Sequence, residues 1–336
     1  MSRAYRRAGV DLDAAERSVE LIGELAAKAT RPEVVAGVGG FAGLFRIGQG
    51  RLLAAATDGV GTKTEIARAA GWLDTVGIDL VAMCANDVVC TGAEPLFFLD
   101  YVAMGRLVPE EAAALVTGMA EGCREAGCAL LGGETAEHPG VMEEGRFDLA
   151  GFCVGVVDED RVLGAHRVRD GDLVVGLRSS GLHSNGFSLV RRALEDAGLG
   201  LEASPPELGR PLGDELLEPT RIYVRPVLEA ARAGLIQAAA HVTGGGLPGN
   251  LRRILPPGLG ARLDPGGWEI PPIFRFIQRV ADADEQDIWL TLNMGLGLLL
   301  ICRPEAAETC ASNLRASGTD ASVVGRVGSG EGVTIG

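Results

Sequence analysis

The sequence predicts an α/β protein built as two α/β units, on three observations. Amphipathic helical stretches alternate with short apolar runs along both halves. Near residue 165 the texture changes, where HRVRDGDLVVGL sets a DGD turn before a fresh strand. The chain's 336 residues are enough for two cores of ordinary size. The expected units are therefore 1–165 and 166–336.

The elements follow in order. DAAERSVELIGELAAKA, residues 13–29, spaces Val19, Ile22 and Leu25 along one helix face, with Pro32 beyond its end. GVGGFAG comes next, then RLLAAAT as a buried strand running into TDGVGTK. KTEIARAAG reads as a helix stopped by Gly71. IDLVAMCANDVVC, residues 78–90, reads as a buried helix with Asn86 and Asp87 on one edge. PLFFLDYVAMG is a strand, and PEEAAALVTGMAEGCREAG a helix with Pro109 near its start and Gly127 at its end. CALLGGETAE is a strand leading into a loop, and DLAGFCVGVVDED is another strand. In the second half a strand leads to the SSGLHSNG loop and the helix FSLVRRALEDAG, with Ser184 or Asn185 as N-cap. A proline-rich linker at 204–211 and a helix TRIYVRPVLEAARAG come next. HVTGGG and a helix precede the strand TLNMGLGLLLIC; the helix RPEAAETCASNLRASG and a last strand ASVVGRV close the pattern. No repeat of period 20–50 residues is present.

Composition narrows the function. Hydrophobic residues make up 47%, charged residues 23%, and the net charge is −14. That balance fits a globular protein and argues against a general binder of nucleic acid or of membrane surfaces. The seven cysteines are an odd number with no CxxC pair, as expected of reduced thiols in the cytoplasm. Their apolar contexts read as small buried hydrophobes. The N-terminus MSRAYRRAGVDLD has no apolar h-region, and the uncharged run at 288–302 is too short to span a membrane.

The glycine loops carry the chemistry. TDGVGTK, residues 57–63, fails the G-x-x-x-x-G-K-[ST] spacing of a Walker loop. It still offers a strand end, an acid, glycines and a helix start at Thr62 or Lys63, where free N–H groups favour a phosphate. Asp58 would repel a bare phosphate, so Mg²⁺ is its natural partner; the alternative is a tight turn with a solvated acid. GVGGFAG fits G-x-G-x-x-A in letters through Gly37, Gly39 and Ala42, with Asp58 about 20 residues on. It lacks a following long helix, so a flap over an anionic ligand is the better reading. Asp79, Asp87 and Glu134 sit as acids in apolar sequence, costly there unless paired or bound to metal. SSGLHSNG ends a strand and opens a helix, which suits a phosphate monoester, with His183 placed for acid–base work or a substrate hydrogen bond. His241 with Thr243, Gly244 and Gly245 repeats that arrangement in HVTGGG.

Together these motifs resemble the aminoimidazole ribonucleotide synthetase family of purine biosynthesis. The matching segments are AGVD at 8–11, RPEV with GVGGFAGLF, TDGVGTK, GIDLVAMCANDVV with GAEPLFFLDY, GGETAEHPG, DLAGFCVGVV, SSGLHSNGFSLVR, PTRIYV, HVTGGG and LNMGLG. They run in order over nearly the whole chain. The resemblance implies two α/β domains, with the N-terminal domains pairing through their sheets in a homodimer. It implies that ATP phosphorylates a formyl oxygen, after which an amidine nitrogen closes the ring and phosphate leaves. It assigns Asp58, Asp87 and Glu134 to Mg²⁺, with K⁺ a further candidate ion. Thr57, Asp58, Lys63, Asp79 and the flap residues Gly37, Gly39 and Gly40 fall to ATP. Ser180, His183, Ser184 and Asn185, with Thr243, Gly244 and Gly245, fall to the nucleotide substrate. His183 is the first candidate for proton transfer, Asp100 and His241 the next. GGFAGL and LNMG depart slightly from the family's commoner flap and FNMG or FNCG sequences.

Relatives on the same fold provide the rival readings. A selenophosphate synthetase would carry a reactive Cys in its flap, whereas the first Cys here is Cys84. A thiamine-monophosphate kinase would not be expected to match FFLDY and SSGLHSNG. A nucleotide-binding maturation scaffold typically ends in a cysteine-bearing tail, whereas this chain ends EGVTIG.

Overall fold

The structure, a computed structural model, describes residues 8, 9 and 12–336. The AGVD match therefore falls partly outside the described residues, at Val10 and Asp11. The first helix among the described residues is α1 (Leu12–Ala26), whose Val19, Ile22 and Leu25 are all exposed. Strands β1 (Val34–Ala36), β2 (Gly43–Gly48) and β3 (Arg51–Gly59) form a meander, with the glycine flap as the β1–β2 loop. Helices α2 (Lys63–Ala70) and α3 (Asp74–Cys90) follow, then β4 (Glu94–Met104), α4 (Pro109–Ala126), β5 (Ala129–Glu137) and β6 (Phe147–Asp158). The first sheet has the order β1-β2-β3-β6-β4-β5; only β4 and β5 pair in parallel.

The second unit begins with β7 (Leu173–Arg178) and α5 (Phe187–Asp196). The short α6 (Leu212–Leu216), α7 (Val224–Arg232), β8 (Ile236–His241), α8 (Gly246–Arg252) and β9 (Leu259–Leu263) come next. Helices α9 (Pro272–Val280) and α10 (Glu285–Trp289), strand β10 (Leu296–Cys302), α11 (Pro304–Ala316), β11 (Ala321–Ser329) and β12 (Gly332–Ile335) complete it. Its sheet runs β12-β9-β11-β7-β10-β8, again with one parallel pair, β12 with β9. Helices and strands thus intermingle along both units, around two mixed sheets.

Helix α3 is the central element. It is apolar nearly all round and buried nearly throughout, as such a helix must be. It crosses α4 where two glycines meet: a Cβ on Gly118 would stand 1.8 Å from Asp74 O, and one on Gly77 2.3 Å from Leu115 O. Besides β3 and β6 it reaches β8 and α7, so one helix packs against both sheets. Its polar residues Asp79, Asn86 and Asp87 fall at i, i+7 and i+8, a single stripe facing the second unit.

Several local expectations change. GGETAE stays within strand β5 to Glu137 and does not become a loop. The helix read from Thr220 begins only at Val224. Tertiary bonds hold residues 220–223 out of the helix: Thr220 N–H donates to Asp79 Oδ1 (2.7 Å), Tyr223 N–H donates to Asn86 Oδ1 (2.8 Å), and Asn86 Nδ2 donates to Arg221 O (2.9 Å). The N-cap of α5 is Gly186, in the left-handed region, with no side-chain cap. Ser184 and Asn185 are engaged elsewhere: Ser184 Oγ with Thr220 Oγ1 at 2.9 Å, and Asn185 Nδ2 with Met83 Sδ at 3.9 Å. β10 starts at Leu296, after a turn in which Met294 has φ 51°. ASVVGRV is not the last strand, since β12 follows it.

Candidate active site

Strand β3 ends at TDG and delivers Asp58 to the edge of α3, where Asp87 waits one turn from the helix end. Burial, and next the charge of Asp87, push the Asp58 carboxyl up to about 6. Strand β8 of the other unit delivers His241 to the same place. Its Nδ1 lies 2.9 Å from Asp87 Oδ1, and its Nε2 is 3.5 Å from Asn86 Nδ2. Since Asn86 Nδ2 can only donate, Nε2 accepts and Nδ1 carries the proton toward Asp87. Two neighbouring carboxylates, one of them holding its proton more tightly than a free carboxyl does, thus meet a fully buried imidazole at the junction of the units.

The donor chemistry of Asp58 and Asp87 fits Mg²⁺. That ion is usually held by one or two carboxylates with the rest of its shell from phosphate and water. Glu134 does not join them. It is exposed on β5, and its carboxylate accepts from Thr135 N–H at 2.9 Å. Among the described residues no three His, Cys, Asp or Glu side chains converge as a ready-made metal site.

Lys63 is placed differently from the phosphate contact its motif suggests. It is 0% exposed; its Nζ donates to Asp79 Oδ1 (3.0 Å) and to Glu218 O (2.9 Å) and pairs ionically with Asp79 Oδ2 at 2.8 Å. Asp79 Oδ1 also accepts from Thr220 Oγ1 at 2.6 Å. This buried ion pair joins the units and faces no open cleft. The hydrogen bonds to Asp79 Oδ1 and to Glu218 O help make the buried pair tolerable, while Asp79 Oδ2 has no hydrogen bond and only the ammonium 2.8 Å away.

The phosphate-type loops lie beside the acids. Gly245 and Gly246 have φ of 93° and 60°, and a Cβ on Gly246 would stand 2.0 Å from Trp289 O, so glycine is required there. Asn250 knits this loop, its Nδ2 donating to Thr243 O, Gly244 O and Gly246 O. Gly244 faces Asn185, the tip of SSGLHSNG: a Cβ there would be 3.8 Å from Asn185 Oδ1. Ser180 Oγ donates to Pro219 O at 2.5 Å, and Thr57 Oγ1 to Gly151 O at 2.7 Å.

His183 is buried, with φ 61°. Its Nε2 accepts from Ser180 N–H at 3.2 Å, while Nδ1 has no partner. Burial first, then the charges of His241, Lys63 and Arg221, hold the ring well below its ordinary basicity. Asp100 lies in the same cross-strand row as Asp58, through Gly151, and its carboxylate packs over Gly133. Burial pushes its carboxyl upward.

The sequence reading missed Arg253, which follows α8. Its Nη2 donates to Gly40 O of the flap at 2.6 Å, and its guanidinium lies 3.9 Å from the centre of the Phe41 ring. Asn250, three residues earlier in a glycine-rich helix start, was the available signal. A separate cavity of about 230 Å³, lined by Arg51, Glu94, Arg161 and Arg232, opens at the opposite end of β3 and contains none of these groups.

Two six-stranded units with paired carboxylates at their junction define an AIR synthase related protein. That family's N-terminal domain matches residues 39–157, and its C-terminal domain residues 169–336. The chain belongs to the phosphoribosylformylglycinamidine cyclo-ligase family. It is 49% identical to the enzyme of that name from Shouchella clausii (100% of this chain, 99% of the relative) and 52% identical to that from Myxococcus xanthus (99% and 98%). The fold is also that of the T. maritima protein PurL, solved in complex with ADP, at TM-score 0.63 and 17% identity. That match covers 92% of this chain and 45% of the other.

Proposed function

We propose that the protein closes the imidazole ring of formylglycinamidine ribonucleotide at the expense of ATP, giving 5-aminoimidazole ribonucleotide, ADP and phosphate. The observation that carries this is the Asp58–Asp87–His241 group at the junction of the units, in a chain about 50% identical to named cyclo-ligases over its full length.

An amide oxygen is a poor leaving group. Transfer of the γ-phosphoryl group to the formyl oxygen makes it a good one. The amidine nitrogen then attacks that carbon, and the C–O bond breaks as phosphate leaves. Asp58 and Asp87 would hold Mg²⁺; the chemistry it supplies when bound is charge neutralisation on the transferring group. His241 orients Asp87 through the Nδ1 bond. The flap at Gly37, Gly39 and Gly40, with Thr57, would close over the ATP phosphates. The uncapped start of α5 beside Ser180, Ser184 and Asn185, with Thr243–Gly245 opposite, suits the ribose phosphate of the substrate. His183 remains the candidate for proton transfer. An orphaned buried N–H and a left-handed backbone on one non-glycine residue are two costs that a purely structural position would not accumulate.

We also propose a homodimer formed through the outer face of the first sheet. Tyr101 and Phe152, about 40% exposed, lie there, with Leu96 and Leu131 also exposed nearby. Among the described residues no helix is long and apolar enough to cross a membrane, and a cytoplasmic site of action fits the chemistry.

The test is to incubate the protein with Mg-ATP and formylglycinamidine ribonucleotide and to follow ADP and aminoimidazole ribonucleotide together. Equimolar formation is expected. ADP without ring product would overturn the substrate assignment in favour of a kinase-like reaction.

A further inference from the structure

Sequence motifs offered Lys63 as the cation for a polyphosphate, yet its ammonium is sealed and fully engaged. A site holding Asp58 and Asp87 still needs a positive group for the phosphates that those carboxylates and one bound cation cannot neutralise. Among the groups whose charge reaches Asp58, Arg253 is the permanently charged one, and it is exposed. Arg253 also touches the flap directly, through Gly40 O and the face of Phe41. On its own side it lies 3.4 Å (Nη1) from Asn250 Oδ1, the residue that knits the 243–246 loop.

We propose that Arg253 latches the glycine flap of the first unit to the second unit and supplies the cationic contact for the polyphosphate of the nucleotide. This rests on the reading of the site as an ATP site. The guanidinium suits both tasks: its flat face stacks on an aromatic ring while its edge keeps N–H donors for a carbonyl and for phosphate oxygens. Gly40 leaves its carbonyl free for this bond because the loop between β1 and β2 makes no ladder there. Closing of the flap and capture of the phosphates thereby become one event, governed by one side chain that belongs to the opposite unit. Arg253 acts as a binding and positioning residue.

The variants are Arg253→Met, which keeps apolar cover on Phe41 but removes the charge, and Arg253→Lys, which keeps a charge without the fork. KM for ATP, KM for the second substrate, the calorimetric Kd for ADP, Tm, and the rate of chymotryptic cleavage after Phe41 are measured for each. Expected for Arg253→Met is a rise of about tenfold or more in KM for ATP and in Kd for ADP. KM for the second substrate and Tm stay near wild type, cleavage after Phe41 is faster, and the Lys variant recovers part of the ATP affinity. Unchanged ADP affinity with unchanged cleavage overturns the proposal. So does an equal rise in both KM values with a fall in Tm, which marks a structural role only. Should the wild-type protein itself bind neither ATP nor ADP, the ATP reading and the phosphate contact fall together. The cleavage rate then decides the latch alone: faster in the variant sustains it, unchanged removes it.

Discussion

Asp58 and Asp87 show how much of the chemistry resides in single side chains. The folded Asp58 carboxyl binds its proton more tightly than it would in the unfolded chain, up to about 6. Its ionisation therefore costs nothing below about pH 4 and destabilises the fold as pH rises through about 6. Asp58→Asn should raise Tm at pH 8, by the equivalent of about 3 kcal/mol at most, and leave it unchanged at pH 4. Melting curves at the two pH values check this; an equal shift at both would show that the effect is not ionisation. Asp87→Asn should abolish turnover with the fold intact, read by activity against circular dichroism, and wild-type turnover would remove Asp87 from the site. These acids were legible in the sequence because a carboxylate inside an apolar run needs a reason. The role of Lys63 was not: a lysine after a glycine loop reads alike whether it meets a phosphate or a carboxylate sixteen residues on. Arg253 was hidden for the same cause, since its partners Gly40 and Phe41 lie more than two hundred residues away.

At the level of elements, α3 and the two glycine-capped helices were readable because periodicity and Gly71 and Gly127 are local signals. Residues 220–223 were misread as helix because their conformation is imposed from outside, by side chains of α3, with the first residue of α2 holding Glu218 beside them. The N-cap of α5 was misassigned likewise: Ser184 and Asn185 satisfy local rules for capping but are spent on Thr220 and Met83. The first-residue position of Lys63 in α2 sets up the strongest element-level prediction. Lys63→Met leaves Asp79 buried without its counter-charge and should cost about 3–5 kcal/mol, read from denaturant unfolding. A change below 1 kcal/mol would mean that the pair is not formed in solution.

For the whole molecule, two mixed sheets sharing one helix were foreseeable as an α/β protein of two units, though their strand orders were not, because pairing between distant strands leaves no local trace. The outer face of the first sheet carries the oligomer proposal. Phe152→Glu should convert a dimer to a monomer in sedimentation velocity, and a wild-type monomer at micromolar concentration would refute the pairing outright. The polar stripe of α3 has a temporal consequence as well. During synthesis α2 and α3 leave the ribosome more than a hundred residues ahead of the segment 218–223 that satisfies Lys63, Asp79 and Asn86. Until that segment emerges, the nascent first half holds a cation, an acid and an amide on a surface destined for burial, solvated and unable to close. Completion of the first half thus waits on the second.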